Sequence, residues 1–187
     1  MADADPFFDR ESAVEALTVL GGRLAARGLV GEVYLVGGAA MVLAYHSARF
    51  TKDIDAVFAP TGAIYQVAAE MVEELGLPRG WLNDAARSYV PGADPRALPV
   101  LDVPGLRVTA ASAEHLLGMK LLAARPEQDR EDVTRLAAIL GLSTPKEVLA
   151  VVERMYPPEM LLPRTRFLVN EMFNPPSGDP PLDRALG

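Results

Sequence analysis

Short, wholly apolar runs alternate along this chain with longer stretches in which apolar residues recur every three or four positions. That pattern predicts buried strands sheathed by amphipathic helices. Val14, Leu17, Leu20 and Leu24 fall at helical spacing and predict a helix over about residues 11–28, with Gly21-Gly22 inside it and Gly28 and Gly31 punctuating its end. Residues 33–36 read as a buried strand, and residues 38 to about 47 as a helix of small and apolar side chains. A second strand over 54–58 is stopped by Pro60, and a helix over 62–75 is stopped by Gly76. Residues 78–97 are rich in Pro, Gly and Asp and predict loops with one short helix. Two short strands, 99–103 and 106–109, flank a turn at Pro104-Gly105. Ser112 then caps a helix to about residue 124, and Pro126 opens another to about 140, ahead of Gly141. Thr144-Pro145-Lys146-Glu147 is a capping box with proline at the first helical position, opening a helix to about 155. A last helix covers about 164–173, and the tail 174–187, with four prolines, is expected to be disordered.

This order of elements predicts an α/β (α+β) fold with three parts. A small mixed β-sheet flanked by helices, including the N-terminal helix, occupies residues 1–140; a helical extension occupies 141–173; the tail 174–187 follows. Half of the 187 residues are apolar, ample for a core. The formal net charge of −7 argues against a broad nucleic-acid-binding face, which needs a basic footprint, while leaving room for a local basic patch. The absence of cysteine excludes a disulfide framework, thiol chemistry and a zinc–thiolate site. His46 and His115, the two histidines, are too few for a multi-histidine metal centre, and neither is assigned a role. Trp81, Tyr89 and the methionines read as core. The acidic start MADADPFFDR lacks the basic and apolar regions of a signal peptide, and no apolar run approaches the ~18 residues of a membrane span. A soluble, cytoplasmic protein with no membrane partner is the expectation.

Chemistry concentrates between residues 33 and 58. Asp53 and Asp55, two apart in extended backbone, point to one face, and like charges held so close repel unless a cation sits between them. Magnesium is the usual solution, a hard cation that accepts oxygen ligands and shares itself with substrate phosphates. Gly37-Gly38 is a strand-to-helix turn whose bare backbone amides can approach a phosphate. Gly38 precedes Asp53 by 15 residues, enough for a helix and a loop back, so the turn and the carboxylates belong at the same end of neighbouring strands. Arg49 and Lys52 can screen phosphate charge, and the Thr51 hydroxyl can contact a phosphate or a metal-bound water. Further along, Lys120 interrupts the apolar stretch 116–124 and can clamp a triphosphate. Asp129 and Asp132, neighbours on one helix face, can pair with Lys120 or Arg125 and position them.

In this order the pieces resemble the nucleotidyltransferase superfamily with the DNA-polymerase-β-like fold, on Gly37-Gly38 and Asp53-Ile54-Asp55. The closer resemblance is to the AbiEii/MenT-type nucleotidyltransferases of toxin–antitoxin systems. It rests on the run Arg49 to Asp55 (RFTKDID) and on the run Leu117 to Arg125 (LGMKLLAAR) followed by Asp129 and Asp132. The resemblance covers about residues 30–140 and implies Mg²⁺-dependent transfer of a nucleotide from an NTP to an acceptor, with release of pyrophosphate. It further implies a tRNA 3′ end or a protein as acceptor, the role of toxin, and a cognate antitoxin. Carried over, Asp53 and Asp55 hold Mg²⁺, Gly38 receives phosphate, Lys120 clamps the triphosphate and Asp132 completes the site. Thr51 falls where some relatives carry a modifiable serine. Many members carry a third metal carboxylate on a later strand; Arg107-Val108-Thr109 offers none, leaving Asp102 and Asp132 as candidates. Two other readings stay open: a catalytically degenerate module that binds nucleotide or a partner, and an acidic antitoxin-like partner of a basic protein.

Overall fold

A computed structural model describes residues 8–47, 50–123 and 125–174, with the backbone alone for 126–128. The first helix, α1 (Arg10–Ala25), is opened by a capping box between Asp9 and Ser12 and leads to strand β1 (Gly31–Leu35). Then come α2 (Gly37–Ala44), β2 (Ile54–Ala59) and α3 (Thr61–Leu75), which ends at Gly76 in the left-handed conformation. A two-residue strand, β3 (Leu82–Asn83), and a 3-10 turn at Ala85–Tyr89 precede the hairpin of β4 (Leu98–Val103) and β5 (Leu106–Ala110). The chain closes with α4 (Ala113–Ala123), α5 (Pro126–Ile139), α6 (Pro145–Met155), a short 3-10 turn at Pro158–Met160 and α7 (Pro163–Phe173).

The five strands form one mixed sheet in the order β3-β2-β1-β5-β4. β1 runs antiparallel to β2 and parallel to β5, β3 is parallel to β2, and β4 is antiparallel to β5. The register divides the side chains cleanly by parity. Val33 and Leu35, Ile54, Ala56 and Phe58, and Leu106 and Val108 are buried under α1 and α3, against Leu17, Leu20, Leu24, Ile64, Val67 and Met71. The alternate positions, Tyr34, Asp55, Val57 and Thr109, lie on the other face, which is only partly covered.

The expected mixed α/β architecture is what the chain adopts, with differences at particular elements. Gly21-Gly22 does not interrupt α1. A β-carbon at Gly21 would sit 2.9 Å from Leu106 Cβ and 3.0 Å from Pro104 O, so the glycine lets the β4–β5 hairpin press against the helix. Residues 78–97 contain β3, a strand absent from the expected pattern. Asp53 stands one residue before β2 rather than on it. The Thr144 capping box forms as expected, with Thr144 Oγ1 accepting from the Glu147 N–H. The expected tail falls, apart from Asn174, outside the described residues. Helix α4, apolar on all sides, is buried because α5 and α6 pack on it, and α7 packs on both of those in turn. Among the described residues no helix is long and apolar enough to cross a membrane.

Candidate active site

The turn from β1 into α2 sets the geometry. Gly37 has φ +57°, the left-handed region that disfavours side chains, and a β-carbon there would lie 3.1 Å from Asp55 Oδ2. A β-carbon on Gly38 would lie 2.8 Å from Thr51 Oγ1. The pair therefore lets α2 begin directly against the segment that carries the aspartates. Among the described residues no side chain caps the N-terminus of α2, and its first amides face the end of the sheet where Asp55 lies. At the other end, Arg10 from α1 donates to Leu43 O, and Arg135 from α5 donates to Tyr45 O at 2.6 Å. Two guanidiniums thus satisfy the carbonyls where α2 ends.

Thr51 is held in place by paired backbone bonds with Phe8, 2.7 and 2.9 Å long. Its buried hydroxyl donates to Asp53 O at 2.8 Å, so the group expected at a phosphate is turned into the protein. Lys52 is exposed, and Arg49 lies outside the described residues.

Asp55 sits on the less covered sheet face because its neighbours Ile54 and Ala56 are committed to the core. Burial first, and then the charge of Asp53, raise its pKa above the ordinary carboxylate value. The neighbouring Asn83 amide and the charges of Arg125 and Lys120 act the other way. Asn83 Nδ2 donates to Asp53 Oδ2 at 3.0 Å, and in the β2–β3 pair Asn83 is in register with Asp55.

Across from the carboxylates stand α4 and α5. Lys120 Nζ is 2.7 Å from Asp129 Oδ1 and 2.8 Å from Asp132 Oδ2. All three side chains are largely buried, and among the described residues the ammonium is held between these two carboxylates. Between these walls lies a cleft of about 270 Å³ lined by Gly37, Gly38, Asp55, Ala85, Ala86, Tyr89, Leu116, Met119, Lys120, Ala123, Arg125 and Asp129. The start of α4 is fixed by Asp94, a loop residue 3% exposed at its side chain. Its carboxylate accepts from the Ser112 N–H at 2.7 Å and the Tyr34 hydroxyl at 2.9 Å, and lies 3.5 Å from His115 Nδ1.

A family model described as a nucleotidyltransferase of unknown function (DUF6036) matches residues 19–154, from the middle of α1 to the end of α6. The chain belongs to this nucleotidyltransferase family. Neither a curated protein nor a solved structure gives a match.

In this member of the family the cleft gathers Gly37, Gly38, Asp55, Lys120, Arg125 and Asp129 at its wall. Asp53 stands behind, joined to the site through Asn83 and through its charge on Asp55, and Asp132 reaches it through Lys120. Asp102 does not come near. It pairs with Arg107, in the row of Glu32 and Ala59, four positions and roughly 13 Å along the strands from the row of Asp55. Tyr89, read from the sequence as core, is 42% exposed and lines the cleft together with Met119. Asn83 and Asp94 were not singled out from the sequence. Asn83 belongs to a two-residue strand too short to show a period, and the partners of Asp94 are distant in sequence.

The donor set suits a hard divalent cation. Asp53 and Asp55 offer carboxylate oxygens, and the raised pKa of Asp55 marks a charge that a cation would stabilise. Among the described residues no group of three His, Cys, Asp or Glu converges. A cation here would take two carboxylates and complete its shell with water and phosphate oxygens, as Mg²⁺ commonly does.

Proposed function

We propose that this protein is a Mg²⁺-dependent nucleotidyltransferase that moves an NMP from an NTP to an acceptor hydroxyl. The acceptor hydroxyl gives up its proton to solvent, its oxygen bonds to the α-phosphorus, the bond from that phosphorus to the bridging oxygen breaks, and pyrophosphate leaves. The observation that carries this reading is the meeting, around one cleft, of the Gly37-Gly38 start of α2, the carboxylate of Asp55 with Asp53 linked behind it through Asn83, and the cationic side chains of Lys120 and Arg125. The first amides of α2 receive phosphate oxygens. Lys120, which lines the cleft, offers positive charge to the triphosphate and is held in line by Asp129 and Asp132. Arg125, exposed at the mouth, neutralises phosphate charge. Asp53 and Asp55 hold Mg²⁺, which when bound neutralises charge on the phosphates and lowers the pKa of an attacking hydroxyl. By the AbiEii/MenT resemblance the acceptor is a tRNA 3′ end or a protein side chain, and the protein is the toxin of a two-gene system with a cognate antitoxin.

The test is label transfer from each α-labelled NTP, with Mg²⁺, to total tRNA and to protein, using Asp55→Ala as control. Label passed by wild type and not by the variant supports the reading and names both nucleotide and acceptor. Transfer that survives Asp55→Ala in a folded protein overturns it. A second reading, a nucleotide-binding module without turnover, is favoured by the lack, among the described residues, of a third carboxylate gathered with Asp53 and Asp55. It predicts thermal stabilisation by Mg²⁺–NTP with no transfer to any acceptor and no pyrophosphate.

A further inference from the structure

We infer that Asn83 is the positioning residue of the aspartate pair and sets how tightly that pair takes a divalent cation, an inference that rests on the reading of Asp53 and Asp55 as the cation's ligands. β3 is two residues long and forms an edge of the sheet. Leu82 secures it in the core at 2% exposure, and the Ile54 N–H donates to Trp81 O at 2.6 Å. What this short strand delivers to the site is Asn83, beside Asp55 in register and bonded to Asp53.

The orientation of the amide is fixed by its other end. The Ala85 N–H donates to Asn83 Oδ1 at 3.1 Å, which turns the NH₂ group toward Asp53 Oδ2 at 3.0 Å. A flipped amide would set oxygen against carboxylate oxygen at one end and N–H against N–H at the other. The side-chain chemistry is also selective. A carboxylate at this position would add a third negative charge beside two that already repel, and a lysine or arginine would occupy the place of the cation. A neutral donor steadies the carboxylates while leaving their charge for the metal. Partners that orient ligands in this way typically change metal affinity 10–100-fold when lost.

Two substitutions separate this role from simple structural support. Asn83→Ala removes the donor and the acceptor together. Asn83→Asp keeps an oxygen for the Ala85 N–H, loses the NH₂ group and adds a carboxylate beside Asp53 and Asp55. Mn²⁺ binding, followed by loss of the free-ion electron paramagnetic resonance signal, is measured on wild type, both variants and Asp55→Asn, with thermal unfolding recorded with and without Mn²⁺. Asn83→Ala is expected to weaken Mn²⁺ binding about 10-fold. Asn83→Asp is expected to melt below wild type without metal, to bind Mn²⁺ more tightly than wild type, and to gain more in melting temperature from it. Binding that is unchanged in folded Asn83→Ala, or in Asn83→Asp, while Asp55→Asn abolishes it, overturns the role of Asn83 and leaves the cation site standing. Absence of Mn²⁺ binding in folded wild type overturns both. If Asn83→Ala does not fold, the opposed metal-free and metal-bound responses of Asn83→Asp carry the test.

Discussion

Replacing Lys120 by methionine tests the buried charge cluster directly. The ammonium lies 2.7 and 2.8 Å from two carboxylates, and the side chains of Lys120, Asp129 and Asp132 are 9%, 15% and 8% exposed. At an effective dielectric of about 20 each contact is worth roughly 6 kcal/mol of gross attraction, most of which offsets the desolvation of the three groups. The substitution removes the attraction and leaves the desolvation, with two anions now facing each other. Breaking a buried pair in this way costs about 3–5 kcal/mol. For a domain of this size that lowers Tm by roughly 6–20 °C. Urea and thermal unfolding of Lys120→Met measure the cost. The variant Lys120→Met/Asp129→Asn/Asp132→Asn, which removes the charges together, should recover most of it, because the three groups act as one unit. The recovered triple variant should still fail to transfer nucleotide, since the amine facing the cleft is gone. A single-substitution cost below about 1 kcal/mol, or a triple variant no more stable than the single one, would refute the reasoning.

Three further expectations concern other parts of the molecule. Gly37→Ala forces a side chain into the left-handed region and against Asp55 Oδ2, and should cost about 1–2 kcal/mol by urea unfolding; a neutral result would mean the turn relaxes freely. Asp55→Asn removes a charge that burial and Asp53 disfavour, so the metal-free protein should melt at a higher temperature than wild type, while transfer is lost; a lower metal-free Tm would contradict this. His115 has its pKa depressed, first by burial and against the pull of Asp94, so the folded state binds its proton less readily than the unfolded chain. The stability it contributes is present above about pH 6.5 and is lost as pH falls toward the folded value, so His115→Gln should flatten the fall of Tm below about pH 6.5; an unchanged slope would assign that loss to other groups.

The parts of the site that follow local rules were legible in the sequence. Asp55 lies on the less covered face because Ile54, Ala56 and Phe58 can lie only in the core, and alternation alone decides that. The meeting of Lys120 with Asp129 and Asp132 follows from a charge in an apolar helix and an i, i+3 carboxylate pair on the next. What was not legible depends on long-range placement. Asn83 needs β3 to pair with β2, and two residues among Pro, Gly and Asp carry no periodic signal. Asp94 gains its meaning from Tyr34 and Ser112, distant in sequence and adjacent only after β1 and β5 pair. Asp102 was a candidate ligand until the hairpin direction put it at the far end of the sheet. Gly21-Gly22 read as a helix weakness because the sequence does not show the turn that packs on Gly21.

The two guanidiniums at the end of α2 have a mechanical consequence. Eight residues make a rod of only about 12 Å, too short to hold its own direction in isolation. Arg10 ties its rear to α1, and Arg135 ties it to α5, the helix that also carries Asp129 and Asp132. The two walls of the cleft therefore share one brace behind the scene of the chemistry. A substitution of Arg135 would therefore loosen α2 from α5 and be read at a cleft whose lining it does not join.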